Sequence, residues 1–218
     1  MDKRRVAILI SGRGSNMASL IEAARADDFP ARIVLVASNI KDAPGLAAAA
    51  KHGIETVTVE SKPFGKDREG FERAMHAELT ARGVELVCLA GFLRLLTPWF
   101  VQQWDKRMLN IHPALLPSYR GLHTHERALA DGVKIHGATV HFVVPEMDSG
   151  PIVMQGAVAV RDDDTPQTLA ARVLSVEHRI YPDALRLVAS GKTRLEGGLC
   201  KTAASGSPDD ELISPSVI

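Results

Sequence analysis

Continuous apolar runs alternate with helix-period stripes through the first half of the chain. Residues 5–10, Arg-Val-Ala-Ile-Leu-Ile, read as a buried strand stopped by Ser11-Gly12. Over 16–26, apolar residues at Met17, Leu20, Ile21 and Ala24 form the stripe of a helix. Residues 32–37 make a second strand. An alanine-rich helix follows over 43–51, with Pro44 at its start and Gly53 past its end. Residues 55–59 form a third strand. Phe71, Met75 and Leu79 mark a longer helix over 67–82, and 86–89 is a fourth strand.

Strand and helix in strict alternation predict an α/β fold with a largely parallel sheet covered on both faces. The second half has another texture. A short strand over 108–112 ends at Pro113, and a loop carrying Pro117, Tyr119 and Gly121 leads to a short helix over 124–130. Strands are expected over 135–144 and 152–160, separated by Asp148-Ser149-Gly150-Pro151. Asp164-Thr165-Pro166 opens a helix that runs to about 190: a side-chain cap, then proline where no amide donor is needed. Asp162, Asp163 and Asp164 are expected to form a solvated approach to that helix. One domain over 1–200 is expected, with a loosely held tail over 201–218 that is rich in Ser, Pro, Gly and Asp.

Charge narrows the partners. Lys plus Arg number 26 and Asp plus Glu number 26, so nothing pulls the chain toward nucleic acid or anionic lipid. No run is long enough to span a bilayer or to form a signal-peptide core. Two cysteines, Cys88 and Cys200, cannot build a disulfide framework, which favours a reducing cytoplasm.

Three groups of residues carry candidate chemistry. Ser11-Gly12-Arg13-Gly14-Ser15-Asn16 joins a strand to a helix, where glycines let the backbone approach an anion and free amides face it. Met17 stands where a dinucleotide loop has its third glycine, so a single phosphate suits the loop better; a plain capped turn is the alternative. Asn110 and His112 lie two residues apart at a strand end, and so on one face, as an oxyanion pair or as a loop-held histidine. Asp148 is either a turn former or a carboxylate that orients the His112 ring. His123, His125, His136 and His141 lack companion ligands at metal spacing, so no metal is expected.

Four blocks together resemble the phosphoribosylglycinamide formyltransferase family, the folate-dependent transformylases of purine synthesis. They are Ile10-Ser-Gly-Arg-Gly-Ser-Asn16; Leu89-Ala-Gly-Phe-Leu-Arg-Leu-Leu96; Asn110-Ile-His-Pro-Ala-Leu-Leu-Pro117 with Gly121-Leu-His-Thr-His125; and His136-Gly-Ala-Thr-Val-His-Phe-Val143 running into Asp148-Ser-Gly-Pro151. The resemblance implies a three-layer single domain with a mostly parallel mixed sheet and a Rossmann-like N-terminal half. It implies an enzyme that moves the formyl group of 10-formyltetrahydrofolate, a co-substrate, to the amine of glycinamide ribonucleotide. It implies no metal, no nucleic acid and no membrane, and a monomer or homodimer in the cytoplasm.

By the same resemblance, Asn110, His112 and Asp148 match the catalytic trio. Gly14, Ser15 and Asn16 match the phosphate loop, and Glu177 matches a carboxylate on the substrate ribose. Arg68, Leu93, Arg94, Leu95 and Leu96 match the folate pocket, with Asn110 and the backbone of Val144, Pro145, Glu146, Met147 and Asp148. Val144-Pro145 departs from the acidic or threonine residue usual there, which leaves backbone contacts. Two relatives of the superfamily compete. Methionyl-tRNA formyltransferase adds a C-terminal tRNA-binding domain, and formyltetrahydrofolate deformylase adds an N-terminal regulatory one; 218 residues are expected to hold neither. A non-catalytic nucleotide- or folate-binding protein of the same fold is the other alternative.

Overall fold

Strand β1 (Arg4–Ile10) is central, and its residues divide between two cores. Val6, Ile8 and Ile10 face one apolar cluster; Ala7 and Leu9 face the other. That alternation, with both faces buried, is the mark of a parallel sheet covered on each side. A computed structural model describes residues 2–202. The chain continues through α1 (Ser15–Ala24), β2 (Ala31–Ser38), α2 (Pro44–Lys51), β3 (Thr56–Thr58), α3 (Arg68–Ala81) and β4 (Leu86–Leu89). Then come α4 (Pro98–Gln103), β5 (Met108–His112), α5 (Thr124–Ala130), β6 (Ile135–Phe142), β7 (Ile152–Ala159) and α6 (Pro166–Ala189).

The seven strands form one mixed sheet in the order β3-β2-β1-β4-β5-β6-β7. From β3 to β5 all pairings are parallel, and β6 and β7 join antiparallel. Helices α1, α2 and α6 contribute to one core cluster through Met17, Leu20, Ala49, Leu169, Val173 and Leu185. Helices α3 and α4 supply the other through Phe71, Met75, Leu79 and Phe100. The three-layer α/β domain expected from the sequence is therefore present. The strand order reverses direction between β1 and β4, a switch point where α/β sheets open a crevice at their C-terminal ends.

Three features differ from the sequence expectations. Helix α4 went unpredicted because six residues carry too little periodicity, although Thr97-Pro98 is a cap-and-proline start. Beyond α6 lies a hairpin of β8 (Thr193–Glu196) and β9 (Leu199–Thr202). Lys201 and Thr202, the first residues of the expected tail, belong to β9; residues 203–218 lie outside the described residues.

The third difference is Asp164, which is not part of a solvated run. Its side chain is 2 % exposed and paired with Arg172. It accepts from Arg172 Nη1 at 2.8 Å, from Thr168 Oγ1 at 2.8 Å and from the Arg161 amide at 2.8 Å. The Arg172 hydrogen bond, with the Arg161 amide and Thr168 hydroxyl, holds this carboxyl well below the usual carboxylate range. It braces the α6 capping box, in which Thr165 and Thr168 bond each other's backbone amides. Asp164→Ala is expected to cost roughly 2–3 kcal/mol at pH 7 through lost charge-assisted bonds. A folded-state value below the unfolded one gives stability present above about pH 4 and lost as pH falls through the folded value. Urea unfolding at pH 7 and pH 3 checks this, because the gap to the native chain should narrow at the lower pH.

Candidate functional site

The crevice lies where β1, β4 and β5 end. Leu9, Leu89, Asn110 and His141 stand in one row across four strands, so the residues after Leu9, Leu89 and Asn110 share the C-terminal edge of the parallel strands with those before His141 in β6. Three loops converge there: residues 11–14 after β1, 90–97 after β4 and 113–123 after β5. The 143–151 turn leaves β6 beside the start of β5, where Phe142 pairs with Leu109 and the Val143 amide donates to the Met108 carbonyl, and it folds back to bring Asp148 to His112 and Gly121.

The first loop turns sharply into α1. Gly14 is the helix N-cap at φ 71°, and no side chain caps the helix. The Gly14, Ser15 and Asn16 amides head α1 with no intrahelical acceptor behind them. A Cβ on Gly14 would sit 3.2–3.3 Å from the Met17 side chain. The loop is pressed close from behind by Gly45 of α2, whose amide donates to the Gly12 carbonyl at 3.1 Å. A Cβ on Gly45 would meet the Gly12 carbonyl oxygen at 2.9 Å and Ile10 Cδ1 at 2.5 Å. Sequence reasoning did not single out Gly45; a Pro-Gly at a helix start gave no reason to expect close packing.

Asn16 does not cap the helix, as a plain capped turn would have it. It is buried, and its Nδ2 donates to Glu177 Oε2 at 2.6 Å. Its Oδ1 is buried with no hydrogen-bond partner among the described residues. Glu177 is 7 % exposed in the apolar stripe of α6, between Val173 and Tyr181. Burial pushes its carboxyl above the ordinary range, and the Asn16 bond opposes the shift. A carboxylate within such a stripe is a signal that periodicity alone could have flagged.

Asn110, His112 and Asp148 come together. Asp148 Oδ2 stands 3.4 Å from His112 Nδ1, and the carboxylate is 11 % exposed. Asp148 Oδ2 also accepts the Gly121 amide at 2.9 Å, which ties the turn to the loop after β5. Nε2 of His112 lies 2.9 Å from the Tyr119 carbonyl, an acceptor only. Both ring nitrogens of His112 thus face oxygen acceptors, an arrangement the doubly protonated ring satisfies on both sides.

Asn110 Nδ2 donates across the sheet to His141 Nε2 at 3.2 Å. His141 Nδ1 in turn donates to the Phe142 carbonyl at 2.9 Å. This bond pattern specifies the neutral tautomer, and burial pushes the imidazole down in agreement. His141 therefore holds Asn110 with one amide hydrogen engaged and the other without an acceptor among the described residues. It entered the sequence reading only as a metal ligand candidate. Among the described residues no three His, Cys, Asp or Glu side chains converge as a metal-ligand group. His125 and His136 instead stack edge to face at 5.3 Å, and burial drives His136 down to about 4.

The 90–97 loop presents apolar side chains outward. Leu93 is 80 % and Leu95 64 % exposed, whereas Leu96 packs against the α3–α4 core. Arg68 donates to the Leu95 carbonyl, and the Arg94 guanidinium lies 5.0 Å from the Phe71 ring centre. Met147 is also exposed, Val144 is half-buried, and Pro145 and Glu146 lie on the surface. Glu146 pairs with Arg120 at 3.2 Å, a second tie between the 143–151 turn and the loop after β5.

Among the described residues four non-glycines have positive φ, and three border this site: Tyr119 at 56°, His123 at 58° and Asp148 at 50°. Such conformations persist where the surroundings over-determine them, and they gather at functional sites.

Residues 4–185 match the family model described as formyl transferase. The phosphoribosylglycinamide formyltransferase of Escherichia coli is 41% identical over 190 residues, covering 87% of this chain and 89% of that protein. The trifunctional purine biosynthetic protein adenosine-3 of Homo sapiens is 46% identical over 200 residues, 91% of this chain. The chain spans 20% of the length of that trifunctional relative. The crystal structure of phosphoribosylglycinamide formyltransferase from Brucella melitensis superposes with a TM-score of 0.83 at 50% identity, over 87% of this chain and 97% of that one.

Proposed function

The chain belongs to the formyl transferase family, and on that premise we propose that it transfers the formyl group of 10-formyltetrahydrofolate to the amine of glycinamide ribonucleotide. The observation that carries the proposal is the convergence of Asn110, His112 and Asp148 between an anion-ready glycine loop and an apolar rim. The ribonucleotide phosphate would lie on the Gly14, Ser15 and Asn16 amides, where free N–H groups and the positive end of α1 favour it. Glu177 would accept a ribose hydroxyl, and the unpartnered Asn16 Oδ1 is a second acceptor beside it. The pterin would lie against Leu93, Leu95 and Leu96, with its edge on the backbone of 144–148. Arg68 and Arg94 would meet the anionic end of the folate.

Attack of the amine on the formyl carbon places negative charge on the formyl oxygen. The free Asn110 amide hydrogen and a protonated His112 would stabilise it, each such donor contributing about 2.7–4 kcal/mol. Nε2 of His112 now meets the Tyr119 carbonyl, so productive binding exchanges that carbonyl for the formyl oxygen. Asp148 orients the ring and balances its charge. The attacking amine loses a proton and the departing folate nitrogen gains one; His112 is the proposed relay. No covalent bond to the enzyme forms. A cytoplasmic enzyme fits the two free cysteines, Cys88 and Cys200. No described helix is long and apolar enough to cross a membrane.

The test is a transfer assay with 10-formyltetrahydrofolate and either glycinamide ribonucleotide or water alone as acceptor. Tetrahydrofolate released only with the ribonucleotide supports transfer. Release without it makes the protein a hydrolase, and no release makes it a binding protein.

A further inference from the structure

Ser11 bears no charge and lies outside the trio, yet it stands at the switch point between the two loops. After β1 the chain crosses to β2 on one side, and after β4 it crosses to β5 on the other, so the chain leaves these two neighbouring strands in opposite directions. Ser11 bridges the two loops with two hydrogen bonds and makes a third to the segment after β2. Its amide donates to the Gly91 carbonyl at 3.0 Å. Its hydroxyl accepts the Leu93 amide at 2.8 Å and donates to Asn39 Oδ1 at 2.6 Å. Both Ser11 and Asn39 are buried. Asn39 Nδ2 reaches Ser61 Oγ at 3.4 Å, which carries the chain of bonds to the segment after β3.

One hydroxyl thus sets the first residue of the glycine loop and the backbone of the apolar rim together. Leu93 is otherwise poorly anchored, since its side chain is almost wholly in solvent. A hydroxyl that both donates and accepts orders its two partners jointly, because losing either bond weakens the aim of the other.

We propose that Ser11 is a positioning residue that couples the two substrate sites, so that an anion on the glycine loop readies the 90–97 loop for the folate. The coupling rests on the proposed placement of ribonucleotide and folate on these loops. A ligand that orders residues 12–16 fixes the Ser11 hydroxyl, and the Leu93 amide is then held before the second ligand arrives. Reciprocity requires the folate to tighten the ribonucleotide by the same factor.

The experiment is calorimetric titration with glycinamide ribonucleotide and tetrahydrofolate, a pair that cannot react. Each is titrated alone and against saturating amounts of the other. In the native chain each ligand should tighten the other by the same factor, roughly 5-fold or more. In Ser11→Ala that factor should fall to near one, with thermal unfolding confirming a folded variant. Asn39→Ala keeps the bond to Leu93 and should lose part of the coupling; it carries the test if Ser11→Ala does not fold. A structural role alone would weaken each ligand and leave the factor intact. A factor of one in the native chain, or an unchanged factor in both variants, overturns the coupling. If neither ligand binds the native chain, the substrate assignment itself fails and takes the coupling with it.

Discussion

Replacing His112 with alanine is expected to lower turnover by about 10²–10⁴-fold while both substrates still bind. The side chain is almost fully enclosed, with Asp148 on one nitrogen and the Tyr119 carbonyl on the other. Its removal would take away the proposed donor to the formyl oxygen and the proposed proton relay together. Ground-state binding should survive, because the phosphate is proposed to lie on backbone amides of α1 and the pterin on the 90–97 loop. Asp148 keeps its bond from the Gly121 amide, so the loop remains tied. Single-turnover transfer rates, with dissociation constants for each substrate, check the expectation. Near-native turnover would remove His112 from the chemistry, and lost binding would make it an anchor for the loop instead.

Gly14→Val should act on the other half of the reaction. The residue sits at φ 71°, where a β-branched side chain is strained, and its Cβ would press on Met17. The valine methyls would also stand where the phosphate is proposed to meet the amides. Loss of a charge-assisted contact of this kind weakens ribonucleotide binding roughly 10–100-fold or more. Folate affinity measured alone should change much less, because Ser11 and Leu93 keep their bond. Equal weakening of both substrates would place the phosphate elsewhere.

The parallel half of the fold is legible in the sequence for a simple reason. Strands such as Val6–Ile10 are buried on both faces and read as unbroken apolar runs, while α1 and α3 show clear stripes. Short elements are not legible: α4 and the β8–β9 hairpin are shorter than the period needed to detect them. The trio is legible as residue types, since Asn110 and His112 share a strand end. Their meeting with Asp148 is not, because it depends on how the turn after β6 folds back onto His112 and Gly121. Glu177 stands out locally as a carboxylate in the α6 stripe, but its partner does not, since nothing local reveals that α6 lays it against Asn16. Asp164 was misread because three aspartates in a row suggest solvent, and Arg172, two turns later on α6, draws one of them inward.

The positive φ angles at Tyr119, His123 and Asp148 bear on how this protein could be made more heat-tolerant. Each is a place where glycine would relieve the folded chain, and where consensus-style optimisation would look first. Each also aims a group at the cleft: Tyr119 its carbonyl, His123 the start of α5, Asp148 its carboxylate. Relaxing them would trade aim for comfort, and the wider freedom of glycine in the unfolded chain offsets part of the gain. Thermal resilience and speed are therefore opposed at these three positions, and a breeder of sturdier variants would do better at exposed helix positions remote from the cleft.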